Sequence, residues 1–335
     1  MKMPRRSRWL VLLLALLALV APSAAVAAPP SRDATAYRLV TGLEGGSGST
    51  IGPDGALYVT ENVAGRITRV DPRTGATTTF ASGLPKLIPA AGFGGPVDIA
   101  FVGRTAYVLV TLVGPDVGGS DVVGLYRVDG PDRFSVVADI GAFSINHPPA
   151  TDFFVPSGVQ YALQADRGGL LVTDGHHNRV LRVTRGGQIS VLRAFGNIVP
   201  TGLEVRGRTI YLAQAGPVPH LAENGKVVSF RPTSNRVREV ASGSPLLVDV
   251  EFGRGHRLYA LSQGVGSGGP EGSPALPNTG ALVKANRDGT FAVVAEGLNQ
   301  PTSLEFIGKT AYVVTLGGEI WKIKGVSGPP HRASR

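Results

Sequence analysis

Three glutamates recur at equivalent places in similar apolar stretches of this sequence. Glu204, Glu251 and Glu305 each follow a Leu or Val and precede an apolar residue. Carboxylate oxygens from separate segments suit hard divalent cations such as calcium, magnesium or manganese. Carboxylates that cluster away from water also repel one another and favour a cation between them. The alternative is a structural role, in which these side chains accept hydrogen bonds from backbone amides or pair with arginines.

Further polar residues belong to the same apolar stretches. Aligning the stretches places Ala100 and Gln160 in one column with the three glutamates. Asp98 and Asp249 occupy a second column, two residues earlier. Because side chains two residues apart share one face of a strand, both columns are expected to point the same way. The sequence therefore predicts a polar face shared by several strands.

Histidines form the second group of residues that could do chemistry. His176 and His177 are adjacent, Asp174 and Asn178 flank them, and His220 follows a Gly-Pro-Val-Pro segment. If His176 or His177 meets His220, the two could form a proton-transfer pair or a mixed metal site. The alternative for Asp174 and Asn178 is that they hold a turn, because such side chains hydrogen-bond locally to the backbone.

The elements that must position these residues are short β-strands. The segments are four or five residues long, rich in aromatic and β-branched residues, and bounded by Gly, Pro, Asn or Asp. A unit of four strands recurs six times at spacings of 40 to 64 residues, as four-stranded propeller blades do. The pattern predicts an all-β fold, a single six-bladed β-propeller. The second strands of the six units centre on Tyr58, Tyr107, Leu171, Tyr211, Tyr259 and Tyr312.

The ends of the repeat predict how the ring closes. The last copy stops after its third strand, at Ile323, and an unpaired β segment at residues 37–40 precedes the first copy. If the N-terminal segment supplies the missing outer strand, the first and last blades lock together. The propeller is then expected to cover residues 34–326, and residues 327–335 are expected to be a disordered tail.

The N-terminus predicts export. Basic residues precede a short apolar run, and small residues follow it, which is typical of a signal peptide covering residues 1–27. No stretch is long enough to remain as a stable membrane anchor. We therefore expect a protein secreted to the extracellular space or the periplasm. The chain has no cysteine, so its stability must come from burial and hydrogen bonding.

Charge gives little indication of a macromolecular partner. The formal charge is +9, and four basic residues leave with the signal peptide. The arginines are scattered singly at strand ends, without the basic stripe and interleaved aromatics of nucleic-acid binders. We expect a monomer that does not bind nucleic acid. Its partner could be a small molecule, a glycan or an extracellular protein.

Several motifs carry a resemblance to a known family. Residues 174–180 (DGHHNRV) resemble the NHL-repeat signature, in which Asp, Asn and Arg shape a turn. The mature chain as a whole resembles the ScyD/ScyE family of exported bacterial propellers, named from a cluster that makes a sunscreen pigment. The resemblance implies a propeller fold and export, and leaves the activity open. It is carried by residues 48–55, 174–183, 197–204, 215–220 and 301–306.

Two functions follow as hypotheses. The first is a binding module that uses the loop face around its central tunnel. The second is a metal-assisted enzyme, a lyase, a hydrolase or an oxidative coupling factor of secondary metabolism, that uses the tunnel carboxylates and the loop histidines. The enzyme hypothesis requires the three glutamates and the histidines to open into one pocket. A long insertion at residues 264–278 is expected to be either a lid over the tunnel mouth or an ordered surface loop.

Overall fold

The described part of the protein is a closed ring of six antiparallel sheets. The computed structural model describes residues 35–269 and 272–326. Each sheet has four strands, and neighbouring innermost strands pack side by side around an axis. The predicted six-bladed β-propeller is confirmed, whereas the predicted signal peptide and C-terminal tail lie outside the described residues. Within the described ranges, no helix has the length and apolarity needed to cross a bilayer.

The first three blades each consist of four consecutive strands, innermost first. Blade 1 has β2 (Ser49–Ile51), β3 (Leu57–Glu61), β4 (Arg66–Val70) and β5 (Thr77–Ser82). Blade 2 has β6 (Gly95–Val102), β7 (Thr105–Thr111), β8 (Gly124–Gly130) and β9 (Arg133–Asp139). Blade 3 has β10 (Gln160–Asp166), β11 (Gly169–Asp174), β12 (Arg179–Val183) and β13 (Ile189–Ala194).

The last three blades follow the same order, except that blade 6 takes its outer strand from the other end of the chain. Blade 4 has β14 (Pro200–Arg206), β15 (Thr209–Gln214), β16 (Lys226–Phe230) and β17 (Val237–Ser242). Blade 5 has β18 (Leu247–Gly253), β19 (Arg257–Ser262), β20 (Gly280–Ala285) and β21 (Phe291–Leu298). Blade 6 has β22 (Pro301–Ile307), β23 (Thr310–Thr315), β24 (Ile320–Lys324) and β1 (Thr35–Val40).

Packing between blades explains why the second strands are aromatic. Tyr58 meets Phe101 of the next blade edge-on, with ring centroids 4.9 Å apart, and Tyr211 meets Phe252 at 4.8 Å. Such edge-to-face pairs add to the stabilisation that burial provides. Because each blade packs on two neighbours, its middle strands are buried on both faces, and they read as short apolar runs.

One short helix, α1 (Ile140–Asn146), was not predicted. The Asp139 side chain caps it by accepting a hydrogen bond from the backbone N–H of Ala142. Seven residues are too few to show a helical period in sequence. Three single 3-10 turns also lie in the connections, at Pro89–Ala91, Pro115–Val117 and Ala222–Asn224.

The connections are long on one face of the ring only. Inner strands begin at this face, so it receives the connections between second and third strands and those between consecutive blades. These include residues 83–94, 112–123, 140–159, 215–225 and 263–279, whereas turns on the opposite face span two to six residues. We call the first face the loop face. Long connections on a rigid scaffold are where binding residues concentrate.

The N-terminal strand closes the ring as predicted. Thr35 pairs with Lys324 and Val40 with Ile320 along an antiparallel ladder, and Arg38 forms a 2.9 Å ion pair with Glu319. Strand β24 would otherwise present an unpaired edge. Val40 is buried against the core between blades 6 and 1.

Deleting residues 1–40 should therefore destabilise the ring, whereas deleting residues 1–34 should not. The larger deletion removes a five-pair ladder, and each intramolecular hydrogen bond contributes about 1 kcal/mol net. We expect the free energy of unfolding to fall by about 3 kcal/mol or more, measured by urea denaturation. Equal stability of the two deletion variants would contradict the proposed role of β1.

Candidate functional site

A cavity opens on the axis at the loop face. Its volume is about 260 Å³, and we call it the axial pocket. It lies at the N-terminal ends of the inner strands, where loops of several blades meet. Its lining includes aromatic residues (Phe93, Phe154, Tyr161), histidines (His176, His220), aspartates (Asp98, Asp249) and small residues (Ala162, Ser303).

The wall of the axial pocket is mainly apolar and aromatic. Phe93 and Tyr161 stack on each other with ring centroids 5.4 Å apart, and Phe154 packs against His176 at 4.9 Å. Leu112 and Leu246 add aliphatic surface. A concave, mostly apolar lining with a few polar groups is typical of small-molecule sites.

Two aspartates supply the polar base of the pocket. Asp98 comes from blade 2 and Asp249 from blade 5, which lie opposite each other in the six-membered ring. Asp98 accepts hydrogen bonds from its own strand, at Ile99 N–H (2.8 Å), and from the next blade, at Leu163 N–H (2.7 Å). Each carboxylate thus links two blades.

Asp249 repeats this arrangement three blades later. It accepts hydrogen bonds from Val250 N–H at 2.8 Å and from Leu304 N–H of the next blade at 2.7 Å. The strand register shifts just before each aspartate, between Pro96 and Asp98 and between Leu247 and Asp249. A bulge of this kind redirects a side chain. Here it aims each carboxylate at the axis.

Small residues occupy the equivalent positions in the other blades. A Cβ atom at Gly48 would lie 2.2 Å from Asp98 Oδ1, and one at Gly202 would lie 2.5 Å from Asp249 Oδ1. Glycine is therefore required beside each aspartate. From blade 1 to blade 6 the positions read Gly48, Asp98, Ala162, Gly202, Asp249 and Ser303, so a glycine, aspartate, small-residue order occurs twice.

Removal from water raises the pKa of both aspartates. Burial raises the pKa of Asp249 to about 7, although its backbone hydrogen bonds oppose the shift. Burial also raises the pKa of Asp98 well above its usual range, and repulsion from Asp249 adds to the effect. The two carboxyl groups therefore hold protons near neutral pH more readily than surface aspartates do.

The three predicted glutamates form a second layer beneath the aspartates. Glu204, Glu251 and Glu305 each pair with the central tyrosine of the neighbouring strand, as Ala100 does. They therefore share one level of the inner strands, as the sequence alignment predicts. They lie two residues deeper than the aspartates and do not line the axial pocket.

Gln160 does not belong to this layer, so its predicted place in the column of glutamates is wrong. The residue at that level in blade 3 comes four positions later in the chain. Gln164 pairs with Leu171 at the level of the glutamates, and its Nε2 donates to Glu204 Oε2 at 2.6 Å. Gln160 starts the strand, accepts a hydrogen bond from Thr111 and donates to Ser157 O. Blade 4 has the same bulge between Pro200 and Leu203, so the bulge does not explain the misplacement; the alignment overlooked that Gln164 stands seven residues before Leu171, as Glu204 stands before Tyr211.

Crowding of acids around the axis raises the pKa of the glutamates as well. Burial raises the pKa of Glu204 to about 7 and that of Glu251 and Glu305 well above the usual range. Repulsion from Glu305 and Glu204 adds to the shift at Glu251. In the described ranges, however, no three acidic or histidine side chains are grouped closely enough to hold a metal ion. The glutamate layer does not fit the predicted calcium, magnesium or manganese site.

Two of the three predicted histidines reach the axial pocket. His220 Nδ1 lies 2.7 Å from the carbonyl oxygen of Gly216. Because a carbonyl can only accept, Nδ1 carries the proton, and Nε2 of the neutral ring is an acceptor. His176 also lines the pocket, and burial lowers its pKa to about 4. His176 is therefore neutral at physiological pH.

His177 belongs to a different, fully buried network. Its Nδ1 lies 3.3 Å from Asp174 Oδ2 and 3.0 Å from Arg179 Nη2, and its Nε2 lies 3.1 Å from Val155 O. Arg179 also binds Asp174 at 2.9 Å and the carbonyl oxygen of His147 at 2.6 Å. These contacts anchor residues 140–159 to blade 3. His177 and Asp174 thus hold the scaffold and are absent from the pocket lining.

Asn178 shapes the turn that displays His176. Its backbone is left-handed, with φ 53°, and its Oδ1 accepts hydrogen bonds from the N–H groups of Ile198 and Val199 at 2.9 Å. Asparagine tolerates this conformation better than most residues. The contacts of Asp174 and Asn178 are therefore those of residues that hold a turn, which is the structural alternative given in the sequence analysis.

Sequence analysis did not identify the aromatic wall. Phe93, Phe154 and Tyr161 lie in connections or at a bulge, outside the repeat that guided the alignment. The adjacent Phe153 and Phe154 in a polar connection were an available signal, because exposed aromatics in a loop are unusual. The predicted insertion contributes Gly272, Ser273 and Pro274 to the pocket wall.

The single combined site is not formed. The axial pocket joins His176, His220, Asp98 and Asp249, while the glutamates lie in the layer beneath and His177 lies in the buried network. The requirement that all three glutamates and all histidines open into one pocket is not met.

Stability should depend on pH through the axial acids. Their pKa values are raised in the folded state, so the folded protein binds more protons than the unfolded chain between about pH 4 and pH 7. Stability therefore falls as pH rises through this window. We expect a higher melting temperature at pH 5 than at pH 8, and a smaller difference in Glu251→Gln, whose amide cannot ionise. The exposed Glu296→Gln is the control, and an unchanged pH dependence in Glu251→Gln would contradict the assignment.

The close approach at Gly202 makes a second prediction. In Gly202→Ala the new methyl group collides with the backbone and carboxylate of Asp249, so we expect a loss of about 1–3 kcal/mol in unfolding free energy. Gly196→Ala is a matched control, because a Cβ there meets nothing within 4 Å. Denaturant unfolding of both variants makes the comparison. Similar losses of unfolding free energy in both variants would show that the close contact between Gly202 and Asp249 does not determine the effect.

Comparison with known proteins supports the fold. No protein-family model and no curated protein matches the chain. Among solved structures, a gluconolactonase from Xanthomonas campestris aligns with a TM-score of 0.61 at 12% identity, covering 88% of this chain and 90% of that one. A catalytically inactive variant of virginiamycin B lyase from Staphylococcus aureus, solved with quinupristin, gives 0.55 at 14%, covering 87% and 99%.

A third structure has the same architecture. The PQQ-bound aldose sugar dehydrogenase from Streptomyces coelicolor aligns with a TM-score of 0.54 at 14% identity, covering 88% of this chain and 99% of that one. Identities this low show a shared fold and do not transfer an activity. The chain is a six-bladed β-propeller with the architecture of these proteins.

Proposed function

We propose that this protein is a binding module that holds a small molecule in the axial pocket. The observation that carries the proposal is the pocket itself, a cavity of about 260 Å³ with an aromatic wall and a polar base. The volume accommodates a compact molecule of one or two rings, near the lower limit of typical ligand sites. The closed ring supplies a rigid frame around it.

The rim of the pocket supports a ligand with an apolar body. Phe154 lines the pocket and is 59% exposed. Val218 and Leu221, which flank the pocket residue His220 in sequence, are also exposed. Exposed apolar side chains gathered at one opening are typical of interaction sites. A bound apolar molecule would cover part of this surface.

A second candidate is an enzyme that uses acid–base chemistry in the same pocket. Its support is that His220 has its tautomer set by Gly216 O, so that Nε2 can accept a proton, while burial raises the pKa of Asp249 to about 7. A base and a protonated acid facing one ligand can act together. The similar structures include a lactonase, a lyase and a sugar dehydrogenase. This form of the proposal assigns no metal to the glutamates.

Two finer statements belong with the proposal. The motifs at residues 48–55, 174–183 and 301–306 support membership of the ScyD/ScyE family, and the N-terminal pattern supports export. Under this proposal the protein meets its ligand outside the cytoplasm, where a fold without cysteines is indifferent to redox state.

Occluding the pocket should abolish binding of a neutral aromatic probe. Ala162 lines the pocket and faces the axis, so Ala162→Trp fills it. We expect the neutral two-ring fluorescent probe 6-propionyl-2-dimethylaminonaphthalene to bind the parent protein at one site, and its affinity to fall at least tenfold in Ala162→Trp. Fluorescence titration measures both.

Val191→Trp provides the matched control. Val191 is exposed on an outer strand of the same blade, far from the axis, so this variant should bind the probe like the parent. If the parent protein does not bind the probe, or if both tryptophan variants bind it equally, the proposed binding function is wrong.

A further inference from the structure

We infer that the ligand of the axial pocket is a small organic cation, an amine carried on an apolar, planar body. The inference rests on the proposed function and adds the chemical class of the ligand. The cavity defines the site, and the side chains that line it define the class.

Besides Tyr161, the titratable side chains in the described part of the pocket lining are two aspartates and two histidines, His176 and His220. Asp98 and Asp249 line its base, and the described lining includes no lysine or arginine. His176 is neutral at physiological pH, because burial lowers its pKa to about 4. An anionic ligand would therefore find no lysine or arginine to pair with, whereas a cation can pair with either aspartate once that carboxyl group gives up its proton. Opposite charges within a few ångströms attract strongly where water is excluded.

Both carboxyl groups face the same cavity, so a cation held there can contact either of them. They project from opposite blades toward the axis, and small residues at the equivalent positions of the other blades leave the space between them open. Each oxygen accepts one backbone hydrogen bond, at 2.7 or 2.8 Å, and Asp249 also accepts a hydrogen bond from the Ser303 side chain. A carboxylate has about four acceptor sites. Acceptor capacity therefore remains for the three donors of an ammonium group.

The wall above the acids suits a planar apolar body. The stacked pair Phe93 and Tyr161 presents aromatic surface, and Phe154 stands at the mouth. Ring faces attract cations and stack on planar groups. A molecule with a ring and an amine would place the ring against this wall and the amine at the base.

The second layer strengthens the preference for positive charge. Glu204, Glu251 and Glu305 lie directly beneath the aspartates and repel them, and they add acidic groups of the same sign along the axis. A narrow opening lined by one sign of charge concentrates counter-ions. The free pocket compensates by holding protons, and a bound cation would displace them.

Proton displacement gives the inference a pH signature. Burial raises the pKa of Asp249 to about 7, so its carboxylate fraction rises about tenfold between pH 6 and pH 8. An alkylamine stays charged over this range. Its affinity should therefore rise at least fivefold from pH 6 to pH 8, while that of a neutral analogue should not change.

The test compares three probes of one shape with different charges. They are 2-phenylethylamine, 2-phenylethanol and 3-phenylpropionate, titrated into the whole protein at pH 8 and pH 6 and measured by ligand-observed NMR. We expect the amine to bind at least tenfold more tightly than the alcohol at pH 8, and the carboxylate to bind least. Equal affinity of amine and alcohol, or an amine affinity independent of pH, would overturn the inference and leave the binding function standing.

Asp249→Asn locates the effect. Its amide cannot ionise, so the amine should bind no more tightly than the alcohol. Asp132→Asn, in an exposed turn on the opposite face, is the control. Asp249→Asn can also weaken the backbone hydrogen bonds that Asp249 accepts. If this variant does not fold, the pH dependence of amine binding to the unaltered protein serves as the test. If none of the three probes binds, the ligand class is wrong, and the fluorescent-probe titration of the parent protein decides separately on the binding function.

Discussion

Two aspartates at the axis tie the six blades together. Asp98 contacts Gly48 of the preceding blade and accepts the Leu163 N–H of the following one, and Asp249 does the same with Gly202 and Leu304. One carboxylate therefore joins blades 1 to 3, and the other joins blades 4 to 6. The buried hydrogen bond between Ser49 and Ser303, at 2.8 Å, joins the two halves on one side, and Gln164 to Glu204 joins them on the other.

This arrangement has an electrostatic cost. Five carboxyl groups, from Asp98, Glu204, Asp249, Glu251 and Glu305, surround one axis, and burial and mutual repulsion raise their pKa values. A ring held only by packing would not need acids there. Hydrogen bonding to backbone amides explains why the two aspartates are buried at the axis. It does not explain why three glutamates are buried in the layer beneath them. Groups kept at such a cost are often kept for function.

The two faces of the ring differ in the length of their connections, and only the face with long connections forms the pocket. Turns on the opposite face span two to six residues and only connect strands, whereas long connections gather at the loop face and carry Phe93, Phe154 and His220 into the axial pocket. The long connection at residues 140–159 is itself anchored by the buried network of Asp174, His177 and Arg179. Asp174, His177 and Arg179 are residue types that often act in catalysis, but here they position the connection that forms one wall of the pocket.

The sequence by itself determined the number of blades, the closing N-terminal strand and the shared level of Glu204, Glu251 and Glu305, because each depends on a strand repeat that the order of residues carries directly. Gln164 stands seven residues before Leu171, as Glu204 stands before Tyr211, so the choice of Gln164 over Gln160 was also available from sequence spacing. Tertiary structure alone decided that Phe93, Phe154 and Tyr161 line one axial pocket. It also decided that His176 and His220 share a pocket while His177 is buried. Loop paths bring these residues together or apart, and such paths depend on packing between blades, which no local spacing records.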